Sequence, residues 1–162
     1  MKRKALGIRA SALALLLALV AGAGCTTEHV FTFAVVADPH IGVDEHAERL
    51  RAVVDWINRN REDMDIELVF VLGDIGGGPD SLVEAREILA SLQPPSLPVI
   101  GDNPFQGGNE DAFHNAFHSH LVALAGELDG WSRAPTPVWN PEREADSHLQ
   151  NYSFDHKGVH FM

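Results

Sequence analysis

The sequence predicts an α/β fold, and three observations predict it. Apolar runs of strand length occupy residues 31–37, 68–72 and 97–100. Two stretches with apolar residues at helical spacing separate them, so the chain reads strand, helix, strand, helix, strand. That order is two βαβ units, which place their strands side by side in a parallel sheet. Each run is followed directly by a short polar stretch: Asp38-Pro39-His40, Gly73-Asp74 and Gly101-Asp102-Asn103. In such a sheet the loops after the strands converge on one crevice.

Taken in order, the chain begins with Lys2, Arg3, Lys4 and Arg9, an apolar stretch from about residue 10 to residue 23, and then Cys25. This is the pattern of a secretory signal peptide. Its apolar part is shorter than the roughly 20 residues that a membrane-spanning helix needs. Cys25, the single cysteine, rules out an intrachain disulfide and a thiolate cluster. It stands where a bacterial lipobox places its lipidated residue, although Gly22 occupies the usual leucine position and Ala21-Gly22-Ala23 also suits ordinary signal peptidase. The expectation is a signal over residues 1–25, a folded part over 26–162, and an exported protein at the periplasmic face or cell surface, held to the membrane through Cys25.

After the first strand, Ala47, Leu50, Val53, Val54 and Ile57 mark a helix over residues 44–61, with Asp44 as N-cap. A second helix is expected from Pro79 to Leu92, with Ala85, Ile88, Leu89 and Leu92 on one stripe and Ser81 and Glu84 at capping-box spacing. Gln93-Pro94-Pro95-Ser96 breaks the chain before the third strand. A third helix is predicted around residues 110–128 from Phe113, Phe117, Leu121 and Leu124. From Gly130 to Leu149 no period is visible, and a long surface loop is expected. Residues 151–155 and 159–162 read as two strands around a His156-Lys157-Gly158 turn, the second still running at the last residue.

Removal of residues 1–25 takes four of the 12 basic residues and none of the 23 acidic ones, leaving eight against 23 and a net charge of −15. A field of that sign repels nucleic acid and anionic membrane surfaces. It also repels a phosphorylated substrate unless bound metal reverses the sign locally.

The three strand-end stretches supply the residue types a metal needs. Asp38 and His40 are two apart in one loop, and a carboxylate with an imidazole suits Mn, Fe, Zn or Ni better than Ca or Mg. Asp74 follows a glycine that allows close backbone approach and is placed to bridge two ions, and Asn103 offers a neutral carbonyl oxygen. Taken singly, an Asp or Asn after a strand is a common turn former. Their joint placement after three successive strands is the signal.

At these residues the chain resembles the calcineurin-like metallophosphoesterases. Their opening motifs, Asp-x-His, Gly-Asp-x-x and Gly-Asn-His-Asp or a variant, match Asp38-Pro39-His40, Gly73-Asp74-Ile75-Gly76 and Gly101-Asp102-Asn103-Pro104. Tyr152-Ser153-Phe154-Asp155 and Gly158-Val159-His160-Phe161 resemble the strand pair that follows in many members. The resemblance covers about residues 31–162, the amino-terminal half of such a domain, and implies an α-β-β-α sandwich of two sheets flanked by helices. It further implies two divalent metal ions, with Asp38 and His40 on the first, Asp74 on both and Asn103 on the second. The activity implied is hydrolysis of a phosphate ester by a metal-activated water, with a phosphorylated small molecule or other phosphoester as substrate.

Two departures from the family pattern accompany the match. Pro104 stands where the third motif usually continues with a histidine, and the family's later histidine segments have no counterpart in the 162 residues. Asp102 is an alternative oxygen ligand to Asn103, and Gly108-Asn109-Glu110-Asp111 superficially resembles the third motif. Asn103 is preferred because it follows the apolar strand directly. The competing reading from another class is a lipoprotein that binds metal or a partner without turnover.

Other polar residues carry blander expectations. His114 and His118 stand at i and i+4, a spacing that can clamp zinc, but no His-Glu-x-x-His accompanies them and solvent-facing rings are expected. His160 is expected to be packed in its strand and His156 to belong to a turn. Gly76-Gly77-Gly78 lacks the Lys-Ser/Thr of a phosphate-binding loop and reads as a flexible link. Trp131, Trp139 and Tyr152 either line a pocket or anchor the long loop.

Overall fold

The computed structural model describes residues 31–101, 110–133, 137–142, 144–148 and 150–162, and the architecture is α/β. The expected signal peptide, Cys25, Asp102, Asn103 and Pro104 lie outside the described residues. The first sheet contains β1 (Thr32–Ala37), β2 (Ile66–Gly73) and β3 (Ser96–Ile100), in that order and all parallel. Parallel neighbours need a crossover. Here α1 (His46–Asn60) joins β1 to β2 and α2 (Pro79–Leu89) joins β2 to β3, as the alternation of periods requires. No described helix is long and apolar enough to cross a membrane.

β2 is the central strand and carries the most buried run, with Leu68, Val69 and Val71 fully enclosed. Strands covered on both faces read as continuous apolar runs, which is why this segment shows no alternation. The core takes Leu50, Val54 and Ile57 from α1 and Leu82, Ala85, Ile88 and Leu89 from α2. Phe113, Ala116, Phe117, Leu121 and Leu124 come from α3 (Glu110–Leu124). Asn58 ties α1 to the end of α2, donating to the Ser91 carbonyl at 2.8 Å and accepting from the Gln93 amide at 2.8 Å. His120 lies 2.6 Å from the Ser96 carbonyl and fastens α3 to the start of β3.

On β1, Phe33 and Val35 alternate with Ala34 and Val36, so the two pairs face opposite sides of the sheet. Phe33 meets Phe70 edge-on at 5.4 Å. A second sheet lies against this aromatic side: β4 (Asp129–Arg133), β7 (Tyr152–His156) and β8 (Val159–Phe161), antiparallel in the order β4-β7-β8. Phe154 and Phe161 are stacked at 4.9 Å and 10°, and Phe161 sits 5.5 Å from Phe70. The Tyr152 hydroxyl donates to the Pro98 carbonyl at 3.1 Å, and burial pushes that phenol up. Glu67 is paired with Lys157 and, at 2.6 Å, with His156. The Lys157 contact first, and His156 after it, hold the Glu67 carboxyl below its usual range against the opposing effect of burial.

The stretch after Gly130 is not one long loop: it contains β4 and a hairpin of β5 (Val138–Asn140) and β6 (Ala145–Ser147). The last two are three-residue strands, too short to show a period. α1 starts at His46 after Glu45, which adopts φ 64°, and Asp44 is not its N-cap. Ser81 acts at N3 of α2, where its hydroxyl accepts from the Gly78 amide at 3.0 Å and donates to the Gly78 carbonyl at 2.9 Å. α2 ends at Leu89 and α3 at Leu124. His160 is exposed and paired with Asp155 at 2.7 Å, because its position on β8 faces away from Phe161.

Phe154 is 1% exposed and stacks on Trp131 and Phe70 as well as Phe161. Phe154→Ala is expected to lose about 3–5 kcal/mol of stability in urea denaturation. A loss below about 1 kcal/mol would mean that the two sheets do not depend on this stack.

Candidate metal centre

The sheet register sets up the centre. Ala37 pairs with Leu72 and Leu72 with Val99, while Gly73 pairs with Ile100. The residues that follow therefore emerge together from one end of the sheet. The two loops then run alongside each other: the Asp38 amide donates to the Leu72 carbonyl at 2.9 Å, His40 to Asp74 at 2.9 Å, and Ile41 to Ile75 at 2.8 Å. Ile41 and Ile75 are each 1% exposed, so the far ends of both loops are anchored in the core.

Between those anchors the backbone is held in unusual geometry. Asp38 and His40 have φ of 49° and 48°, in the left-handed region that non-glycine residues seldom occupy. Such conformations cost about 1–3 kcal/mol each and persist where surrounding bonds over-determine them. The inter-loop hydrogen bonds do so here. His46, at the start of α1, lies with Nδ1 3.0 Å from the Pro39 carbonyl and fixes the peptide between the two residues.

This geometry brings one ligand atom each from Asp38, His40 and Asp74 within 4.8 Å of one another. Asp38 is exposed, and His40 and Asp74 are half-buried. The Asp74 amide donates to Asp38 Oδ1 at 3.3 Å. Gly73, at φ +83°, lets Asp38 lie over it, since a Cβ there would stand 2.3 Å from Asp38 Oδ1. Gly101 does the same for Asp74: its Cβ would stand 2.4 Å from Asp74 Oδ1 and 2.5 Å from the Gly73 carbonyl carbon. The carboxylates thus sit in a cradle that two absent side chains leave open.

Two carboxylates held this close repel each other, and a cation between them removes that repulsion. One imidazole with two carboxylates is a donor set suited to Mn, Fe, Zn or Ni. The residues present therefore fit a divalent ion. Three of the four sequence-predicted ligands are brought together, and Asn103 lies outside the described residues. Among the described residues this is the one group of three such side chains whose ligand atoms converge.

Sequence reasoning missed the role of His46, which carries no motif, and of Gly101 as the floor under Asp74. No protein-family model and no curated protein matches the chain.

Proposed function

We propose that this protein is a metal-dependent phosphoesterase of the calcineurin-like kind, exported and tethered through Cys25. The observation that carries the reading is the convergence of Asp38, His40 and Asp74 at the ends of adjacent parallel strands. The layering of helices, a parallel sheet and a second antiparallel sheet supports it, being compatible with the first layers of an α-β-β-α sandwich.

Asp38, His40 and Asp74 hold the first ion in this reading, and Asp74 with Asn103 holds a second. Divalent ions supply charge neutralisation for phosphoryl oxygens and lower the pKa of water near them. The chain's own contribution is to fix the donors in place: inter-loop hydrogen bonds set the backbone, and Gly73 and Gly101 let the carboxylates lie close. The donor groups also gather the negative charge that a phosphoester would otherwise avoid, so substrate approach depends on the ions.

The test is hydrolysis of bis(p-nitrophenyl) phosphate and p-nitrophenyl phosphate with added Mn²⁺. Turnover that is lost in Asp74→Asn and in excess EDTA is the expected result, with a loss of at least about 100-fold for the variant. Turnover unchanged in Asp74→Asn would overturn the assignment. Retention of Mn²⁺ through dialysis without turnover would select the competing reading, a metal-binding lipoprotein, which the Pro104 substitution in the third motif favours.

A further inference from the structure

Three histidines that the metal centre does not use meet against one side of α3. His114 lies between His118, at 4.7 Å between ring centroids, and His148, which follows β6 and stacks on it at 4.0 Å and 27°. Arg133, at the end of β4, places one guanidinium nitrogen 3.4 Å from His118 Nδ1 and donates with the other to Gln150 Oε1 at 2.8 Å. The Gln150 amide nitrogen is 3.4 Å from His114 Nδ1. His148 Nε2 stands 3.3 Å from an Asp111 carboxylate oxygen.

This network assigns the protons. A guanidinium only donates, so His118 Nδ1 accepts. The same arginine occupies Gln150 Oε1, which turns the amide NH₂ toward His114 and makes that Nδ1 an acceptor too. Both Nδ1 atoms are thus acceptors in the docked arrangement. Their nitrogens do not converge on one point, and Arg133 places a permanent positive charge beside them, so the cluster is no metal site.

Acid reverses the contact at His114. A proton on His114 Nδ1 faces the Gln150 NH₂. His148 stacks on the other face of His114 at 4.0 Å, with its Nε2 3.3 Å from the Asp111 carboxylate. Burial holds the His114 imidazole below its usual value, reinforced by His148, His118 and Arg133 and opposed by Asp111. The docked state therefore binds fewer protons than the undocked one. Docking is complete above about pH 6.5, the ordinary histidine value, and weakens as the pH falls below it.

We infer that His114, packed between His118 and His148 and bonded to Gln150, is an acid-released latch, which holds the segment carrying His148 and Gln150 on α3 at neutral pH and frees it in acid. Gln150 also lines a cleft of about 730 Å³ between the two sheets, together with Phe70, Val99, Asn151, Tyr152 and Phe161. Release of the latch therefore opens one wall of that cleft.

The test is amide hydrogen exchange in EDTA at about pH 7.5 and about pH 5.0, either side of the histidine range, with intrinsic rates corrected for pH. With metal removed, the result is independent of the metal centre. The expected result is that protection at residues 145–148 and 150 falls at least about 10-fold in acid relative to the β2 amides. His114→Gln, which keeps an acceptor but takes no charge, should retain protection in acid, and His114→Asn provides a second variant should the first fail to fold. Protection that does not change with pH, or that falls equally in wild type and in the folded variant, overturns the latch.

Discussion

Asp74→Asn is expected to be as stable as wild type without metal, or slightly more so, and to lose the stabilisation that Mn²⁺ confers. Two carboxylates with ligand atoms inside 4.8 Å repel by about 1 kcal/mol at water-like screening. Replacing one by an amide of the same shape removes that term and leaves the backbone hydrogen bond from Asp74 to Asp38 intact. With metal present the order reverses. At about a hundredfold excess over Kd, binding to the native state alone adds about 2.7 kcal/mol. For a domain of this size that is a rise in Tm on the order of 10 °C in wild type. Thermal melts with and without Mn²⁺ read both halves of the prediction. A variant that keeps the Mn²⁺-dependent rise would remove Asp74 from the ligand set.

Gly101→Ala should damage the centre from beneath, without touching a donor. Its Cβ would lie 2.4 Å from Asp74 Oδ1, 2.5 Å from the Gly73 carbonyl carbon and 2.7 Å from the Asp74 amide nitrogen. The carboxylate can rotate away, but the two backbone atoms cannot, so the ends of β2 and β3 must separate. Overpacking of this kind costs about 1–3 kcal/mol. The expected outcome is a Tm lower by several degrees and a weaker response to Mn²⁺, because Asp74 no longer lies within reach of Asp38 and His40. Gly77→Ala is the matched control, since a Cβ there meets nothing within 4 Å. Equal behaviour of the two variants in melts and Mn²⁺ titration would mean that the close approach of β2 and β3 does not shape the site.

The legible parts of this molecule are those where one short stretch of chain carries its own period. β2 declared itself through Leu68, Val69 and Val71, which are buried on both faces, and α1 through Leu50, Val54 and Ile57 on one stripe. Parallel order then followed from the alternation of strand and helix, and with it the meeting of Asp38, His40 and Asp74. What stayed hidden depends on partners far away in sequence. β4 reads Asp-Gly-Trp-Ser-Arg and is a strand because it pairs with β7. His148 meets His114 only once the β5-β6 hairpin has formed, so His114 is half-buried rather than solvent-facing. His156 belongs to β7, where it pairs with Glu67 on β2. The sequence leaves Trp131 between two roles; the structure stacks it on Tyr152 at 5.0 Å and 16°, within the second sheet, while Trp139 stays 61% exposed.

Anomalous diffraction from crystals soaked in Mn²⁺ shows directly whether the three donors share one ion. The expected result is an anomalous peak in contact with Asp38, His40 and Asp74 together, within roughly 2.0–2.6 Å of their ligand atoms, as oxygen and nitrogen donors require. A protein that takes up Mn²⁺ elsewhere, with this cradle carrying no peak, would contradict it.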